Sequence, residues 1–225
     1  MKISVVIAAL NEAAELPATL RAVQAVPEVT EIILSDGGST DATRELAAKS
    51  GAHIVAGARG RGFQFRLGAE QAAGDVVLML HADTWLPPNA GEAIAMALRD
   101  PQTVGGAFYK TFRDPHWLMR GSRFRCAWRM WTQQFAYGDQ ALFVRRDVLE
   151  RIGGVPAVPL MEEHELCRRL RAVGRLCLAD ATVTTSARRF HERGVLRTYW
   201  RMAVTNLRWR FGASPEELRR LYERR

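Results

Sequence analysis

The sequence predicts an α/β protein with a mostly parallel central sheet flanked by helices and a helical C-terminal extension, and three observations carry the prediction. Apolar runs of strand length alternate with amphipathic segments of helix length, as parallel strands joined by crossover helices require. Glycines follow several helical segments, at Gly51, Gly74 and Gly174, where a residue free to turn left-handed ends a helix. Polar residues follow the apolar runs at Asn11-Glu12, Asp36 and Asp83, and in such sheets ligands bind beyond the carboxyl ends of the strands.

Taken in order, Ile3 to Ala8 forms the first strand, and Leu16, Leu20 and Val23 recur behind it at helical spacing. Glu31 to Ser35 is a second strand, followed by a glycine-rich turn and a helix that Gly51 closes. His53 to Ala56 is a shorter third strand. Gly57 to Gly62 makes a basic glycine-rich loop, and a helix runs from Phe63 to Gly74. Val76 to Leu80 is the most continuous apolar strand, and Pro87 and Pro88 introduce a helix reaching about Arg99. A strand at Val104 to Phe108, an aromatic and arginine-rich helix from Trp117 to Trp131, a strand at Ala141 to Val144 and a helix from Glu163 to Val173 follow. Gly194 to Phe211 carries another apolar helical stripe, and Ser214-Pro215-Glu216-Glu217 opens a final helix with a capping box.

The 225 residues suit one sizeable domain with an appendage: residues 1–190, divided near 110 into two halves, and an extension over 191–225. Cys126, Cys167 and Cys177 are odd in number and widely spaced, which points to reduced thiols in a cytoplasmic protein and away from a disulfide scaffold or zinc site. Met1-Lys2 leads directly into a core strand and not into an export signal, and no apolar run is long enough to span a bilayer. Up to Phe112 there are nine Lys and Arg against twelve Asp and Glu; beyond it there are 23 against 12. An anionic partner for the second half, whether a phosphorylated substrate, an anionic membrane surface or nucleic acid, is one account of that asymmetry, and a solvated arginine-rich surface is the other.

A carboxylate where a buried strand ends, as Asp83 does in VVLMLHADT, is placed to hold a divalent cation against a phosphate. His164-Glu165 begins an H-E-x-x-H, but Arg168 occupies the second histidine's position, which removes a zinc protease. SVVIAALNE, LSDGGSTDAT, GDVVLMLHADT, GDQALFVRRD and MEEHELCRRL, in that order, resemble the inverting glycosyltransferases of family 2 over about Lys2 to Phe190. The resemblance implies a GT-A fold, Rossmann-like in its sheet, which moves a sugar from a nucleotide-diphosphate donor, UDP-linked, to a hydroxyl acceptor with inversion, assisted by Mn²⁺ or Mg²⁺. Within the family the chain looks most similar to small bacterial members without a transmembrane segment, which have His-Ala-Asp in place of Asp-x-Asp.

The resemblance also implies roles. Asp36 receives a hydrogen bond from uracil, with Gly37 and Gly38 letting the backbone approach the base. Asn11 and Glu12 make the first nucleotide contacts, with Ala8 standing where a proline is common. Asp83 ligates the metal that bridges the donor phosphates, Ala82 precedes it, and His81 replaces the first carboxylate. His81 is thereby a contact to ribose or metal, or a core histidine. GARGRGFQFRLG sets Arg59, Arg61 and Arg66 among glycines ahead of a helix, a cradle for phosphate, and Arg59, Arg61 and Gln64 are assigned to the donor. Glu163 stands where the family has Asp as general base, with Glu162 beside it; both would also complement a helix dipole. Asp139 and Gln140 match the acceptor-side segment. Arg189 matches the arginine of Q-x-x-R-W as a diphosphate contact, while Ser186 and Phe190 depart from that motif. His191 is a candidate further metal ligand.

Two arginine-flanked apolar stripes, Trp117 to Trp131 and Gly194 to Phe211, suit either packing on the core or peripheral contact with the inner face of the cell membrane. A noncatalytic nucleotide-sugar or membrane-surface binding module is the alternative function. Nucleic acid, supported by basic charge alone, is not an expected partner.

Overall fold

A computed structural model describes residues 1–223. Its strands are β1 (Ile3–Ala9), β2 (Val29–Asp36), β3 (His53–Ala56), β4 (Val76–His81), β5 (Thr84–Trp85), β6 (Thr103–Phe112), β7 (Leu142–Arg145) and β8 (Arg175–Thr185). Its helices are α1 (Leu16–Gln24), α2 (Thr43–Lys49), α3 (Arg61–Ala69), α4 (Ala90–Ala97), α5 (Ser122–Gln133), α6 (Arg146–Arg151), α7 (Glu162–Arg171), α8 (Arg188–Arg193), α9 (Val195–Arg210) and α10 (Pro215–Glu223). The strands form one sheet in the order β3-β2-β1-β4-β7-β6-β8-β5. β1 to β4 run parallel, β7 runs against β4 and β6, β8 is parallel to β6, and β5 runs against β8. The predicted architecture holds: mostly parallel, with helices on both faces.

β4 reads as an uninterrupted apolar run because it lies between β1 and β7 and is covered on both faces. Leu78 and Leu80 point to one side with Leu16, Leu20, Val23 and Ile94 of α1 and α4. Val77 and Met79 point to the other with Phe65 of α3, Met130 of α5 and Leu166 and Leu170 of α7. Gly68 lets α3 lie close on β1, since a Cβ there would come within 2.3 Å of Val6 Cγ1.

Three differences from the sequence reading have physical causes. β8 is absent from that reading because its inward positions are filled largely by Ala179, Ala181 and Thr185, small residues that do not announce a core strand. The strand expected at Val104 to Phe108 continues to Phe112 because β8 pairs with it throughout, across a shift in register at Phe108/Tyr109. The third helix starts at Arg61 and ends at Ala69, short of Gly74, whose amide instead donates to Ser4 Oγ at 2.8 Å.

The expected boundary between residues 190 and 191 falls inside α8. The extension packs back onto the main domain: Leu218 of α10 is fully buried with Leu160 and Met161, and Trp209 packs against the same cluster. The predicted capping box is present, with Glu217 N–H donating to Ser214 Oγ at 3.3 Å and Ser214 N–H to Glu217 Oε2 at 3.1 Å.

Candidate active site

Sheet register gathers the polar strand ends. Ala8 pairs with Ser35 of β2 and His81 of β4, and Ala9 pairs with Asp36, so the segments after β1, β2 and β4 emerge together. Two joined cavities of about 290 and 310 Å³ open there, and Arg61, His81, Asp83, Arg188 and Arg189 line both. Ala8, Glu12, Arg59, Gln64 and Ala82 line the larger, and Asp139 and Glu163 the smaller. The fold thus brings together eleven of the sixteen residues assigned from sequence.

The other five lie outside the cleft, each for a local reason. Asp36 is fully buried, and its carboxylate accepts from Ser39 N–H at 3.0 Å and Gly38 N–H at 3.3 Å; a buried carboxylate needs such donors, and its own loop supplies them. Asn11 adopts φ 55°, and its Oδ1 accepts from Thr40 N–H at 2.8 Å, stitching the first loop to the second. Gln140 is fully buried, donating to the Phe108 carbonyl at 2.9 Å and accepting from Arg129 and Tyr137 N–H, so it shapes its turn. His191 is exposed and bonds the Asp114 carbonyl at 2.9 Å through Nε2. Glu162 is buried and pairs with Arg61 at 3.4 Å. Gln64 faces the cleft, but its amide nitrogen is committed to the Ala9 and Ser35 carbonyls, at 2.7 and 2.9 Å.

On the donor side, Asp83 is the carboxylate the two cavities share. Burial raises its pKa, while Arg188 and Arg189 oppose the rise. Arg113 braces this loop by donating to the Asp83 carbonyl at 3.1 Å and to Glu15 at 2.7 Å, with its guanidinium 4.2 Å from the centre of the Trp85 ring. His81 is neutral: burial drives its pKa down to about 3, and its buried Nε2 has no hydrogen-bond partner. Among the described residues no group of three or more His, Cys, Asp and Glu side chains is gathered to hold a metal. This donor set fits a hard cation that keeps most of its ligands as phosphate oxygens and water. It does not fit a preformed protein cage.

On the other side, Met161 takes φ 68° immediately before α7, a conformation costly for a side chain of its size and retained most often at functional sites. It starts the helix at Glu162 and turns Glu163 into the smaller cavity. Burial raises both glutamates above the usual carboxylate range, with Arg61 opposing. Burial would also raise Asp139, but the Lys110 ammonium bonded to it outweighs that effect and holds it below its usual value.

His164 shows how the extension completes the site. Asn206 of α9 places its amide nitrogen 2.8 Å from the Met202 carbonyl, which can only accept. Its Oδ1 therefore faces His164 Nε2 at 2.7 Å and receives that N–H. Nδ1 is left as a lone pair 3.7 Å from Glu163 Oε1. Burial among Phe135, Tyr137 and Trp209 lowers the pKa of His164 to about 4, so the neutral tautomer persists. Asn206→Ala is expected to strand the His164 N–H and cost about 1–3 kcal/mol, read from the urea midpoint; an unchanged midpoint would mean the histidine finds another acceptor.

Sequence reasoning missed Arg188, which holds Glu12 through two 3.1 Å bonds, along with Lys110, His164 and Asn206. Arg188 had a signal, the arginine pair before Phe190. The others had none, because their partners lie 29 to 42 residues away.

The profile of the family described as Glycosyl transferase family 2 matches residues 4–153, a span that ends before Glu162. An undecaprenyl-phosphate 4-deoxy-4-formamido-L-arabinose transferase of Pseudomonas paraeruginosa is 33% identical over 133 residues, covering 54% of this chain and 39% of that protein. One from Pectobacterium carotovorum is 38% identical over 99 residues, covering 39% and 30%. The chain thus spans about two-fifths or less of the length of these curated relatives. Among solved structures, the mannosyltransferase PcManGT of Pyrobaculum calidifontis, in complex with GDP-Man and Mn²⁺, superposes with a TM-score of 0.68 at 19% identity, over 98% of this chain and 68% of that one. Glucosyl-3-phosphoglycerate synthase of Mycobacterium tuberculosis, in complex with Mn²⁺, UDP and glucosyl-3-phosphoglycerate, gives 0.60 at 20% identity, over 80% and 70%. At these identities the structural likeness is one of fold.

Proposed function

The chain belongs to glycosyl transferase family 2, and from that premise we propose that it transfers a sugar from a nucleotide-diphosphate donor, UDP-linked, to a hydroxyl acceptor with inversion. The observation that carries the reading is that Asp83 and Glu163 line one cavity although 80 residues apart in sequence. Inversion by direct displacement needs a leaving-group site and a base within one enclosure.

In this reading the donor lies in the larger cavity, with Arg59, Arg61, Arg188 and Arg189 as guanidinium contacts for its diphosphate. Asp83 would hold Mn²⁺ or Mg²⁺ together with the phosphates, and the bound ion supplies charge compensation to the departing diphosphate. The acceptor enters beside Asp139 and Tyr137. Its oxygen attacks the anomeric carbon, the bond from that carbon to the diphosphate oxygen breaks, and Glu163 takes the hydroxyl proton. Burial suits Glu163 to that task by making it a stronger base than an exposed carboxylate. Mn²⁺ complexes among the structural relatives and the undecaprenyl-phosphate named for the sequence relatives support a metal-assisted transfer, with peripheral action at the inner face of the cell membrane.

The test incubates the chain with UDP- and GDP-linked sugars, with and without Mn²⁺, and follows thermal shift and nucleoside diphosphate release. Donor binding is expected to raise the melting temperature, with release that depends on metal and is strongest for UDP-sugars. Binding without release for any donor, across added lipid and sugar acceptors, would leave a noncatalytic binding module instead.

A further inference from the structure

Outside the cleft, exposed apolar side chains that the transfer reaction does not use gather on two helices. Trp117, Phe124, Trp128 and Trp131 are between 55% and 78% exposed, and Leu196, Trp200, Leu207 and Phe211 between 55% and 84%. On α5, Phe124, Trp128 and Trp131 fall on one helical face, with adjoining rings 6.5 and 5.6 Å apart. On α9, Leu196, Trp200 and Leu207 recur along a single outward stripe. α9 meets the turn leading into α5, where Met119 is buried in a cluster against which Val195, Tyr199 and Met202 of α9 pack. Exposed apolar surface concentrated in this way marks an interaction site. Tryptophan suits an interface that is apolar on one side and wet on the other.

Charge selects the occupant. Between Pro115 and Phe135, and again between Gly194 and Ala213, there is no Asp or Glu. Arg120, Arg123, Arg197, Arg208 and Arg210 are exposed around the apolar rows. A second copy of this face would bring arginines against arginines, whereas an anionic bilayer attracts each of them and accepts the aromatic rings below its headgroups. Among the described residues no helix is long and apolar enough to cross a membrane, so the contact would be peripheral. The opposite side of α9 contributes Thr198, Met202, Thr205 and Asn206 to the smaller cavity.

We infer that α5, the turn before it and α9 form a docking face for an anionic lipid bilayer, with α9 presenting lipid on one side and the acceptor cavity on the other. Docking itself stands on the surface alone; that it delivers a lipid-borne acceptor rests on the transferase reading. The test sediments the full chain with phosphatidylglycerol–phosphatidylethanolamine vesicles and with phosphatidylcholine vesicles. Wild type is expected to partition at least about tenfold more strongly onto the anionic vesicles, and less strongly as salt rises. The double substitutions Trp200→Ser with Leu207→Ser, and Trp128→Ser with Trp131→Ser, should each weaken partition at least about tenfold. Arg197→Glu with Arg208→Glu should remove the preference for anionic lipid. None of these residues lines the cleft, so UDP-sugar binding and melting temperature, measured in parallel, should stay at wild-type values. A chain that remains in the supernatant with both vesicles, variants that pellet as wild type does, or a dimer in solution that Trp200→Ser dissociates would each overturn docking. Failure of wild type to bind any nucleotide sugar would overturn the transferase reading and leave docking intact.

Discussion

Replacing Glu163 with glutamine is expected to lower transfer by about 10²–10⁴-fold, the range that a positioned general base supplies, while donor binding stays unchanged. Glutamine keeps the shape and cannot take the acceptor's proton. Because burial raises the pKa of Glu163 and the base must be ionised to act, the acid limb of the wild-type pH–rate profile should lie above the ordinary glutamate range, with activity rising as pH increases through it. Glu162→Gln replaces a neighbouring carboxyl group whose hydrogen bond lowers the pKa of Glu163 with an amide of the same shape, so it should keep that limb at or above its wild-type position and leave the maximal rate within a few-fold of wild type. Stability gives an independent sign. With both pKa values raised in the fold, the folded chain holds more protons than the unfolded chain between the ordinary and raised values, so this contribution is full at low pH and is lost as pH rises through the raised values. Either glutamine variant should therefore melt at or above the wild-type temperature at neutral pH, which separates lost chemistry from lost folding. If Glu162→Gln took the large rate loss and Glu163→Gln did not, the two roles would be exchanged.

The second large effect belongs to Asp83. Asp83→Asn keeps the side chain's size and removes the charge, and kcat/KM is expected to fall roughly 10²–10³-fold, the scale on which loss of one preorganised electrostatic contact is felt. Metal titrations of donor binding should show the same change, since no three-residue ligand group exists among the described residues to replace the carboxylate. Burial raises the pKa of Asp83, with Arg188 and Arg189 opposing, so the asparagine variant should fold at least as well as wild type. Wild-type metal dependence in Asp83→Asn would move the cation elsewhere and leave Asp83 a positioning role for its loop.

Local pattern made much of this legible. The parallel half of the sheet could be read because its strands are apolar runs separated by segments of helical periodicity, and the carboxylates after β1, β2 and β4 could be placed at one edge because strand direction dictates it. Asp83 was named that way, Arg59 and Arg61 from their glycine-rich loop and Glu163 from the resemblance to the family, and the fold puts all four in one cleft. β8 was illegible because alanine and threonine fill its core positions, and the ion pairs of Lys110 with Asp139 and Arg188 with Glu12 depend on long-range packing.

By itself, then, the sequence determined which polar residues stand at the strand ends, since that follows from periodicity and from what must come after a buried strand. Only the tertiary structure decided which carboxyl groups face the cleft. Asp36 turns its oxygens into its own loop and Glu163 turns into the cavity, because one had backbone donors within three residues and the other was swung inward by the left-handed turn at Met161. It also decided that the C-terminal extension is part of the site: α9 supplies Asn206 to His164, and Leu218 of α10 buries the cluster beneath Met161. No periodicity records those contacts, because they join faces that are set only when the whole chain packs.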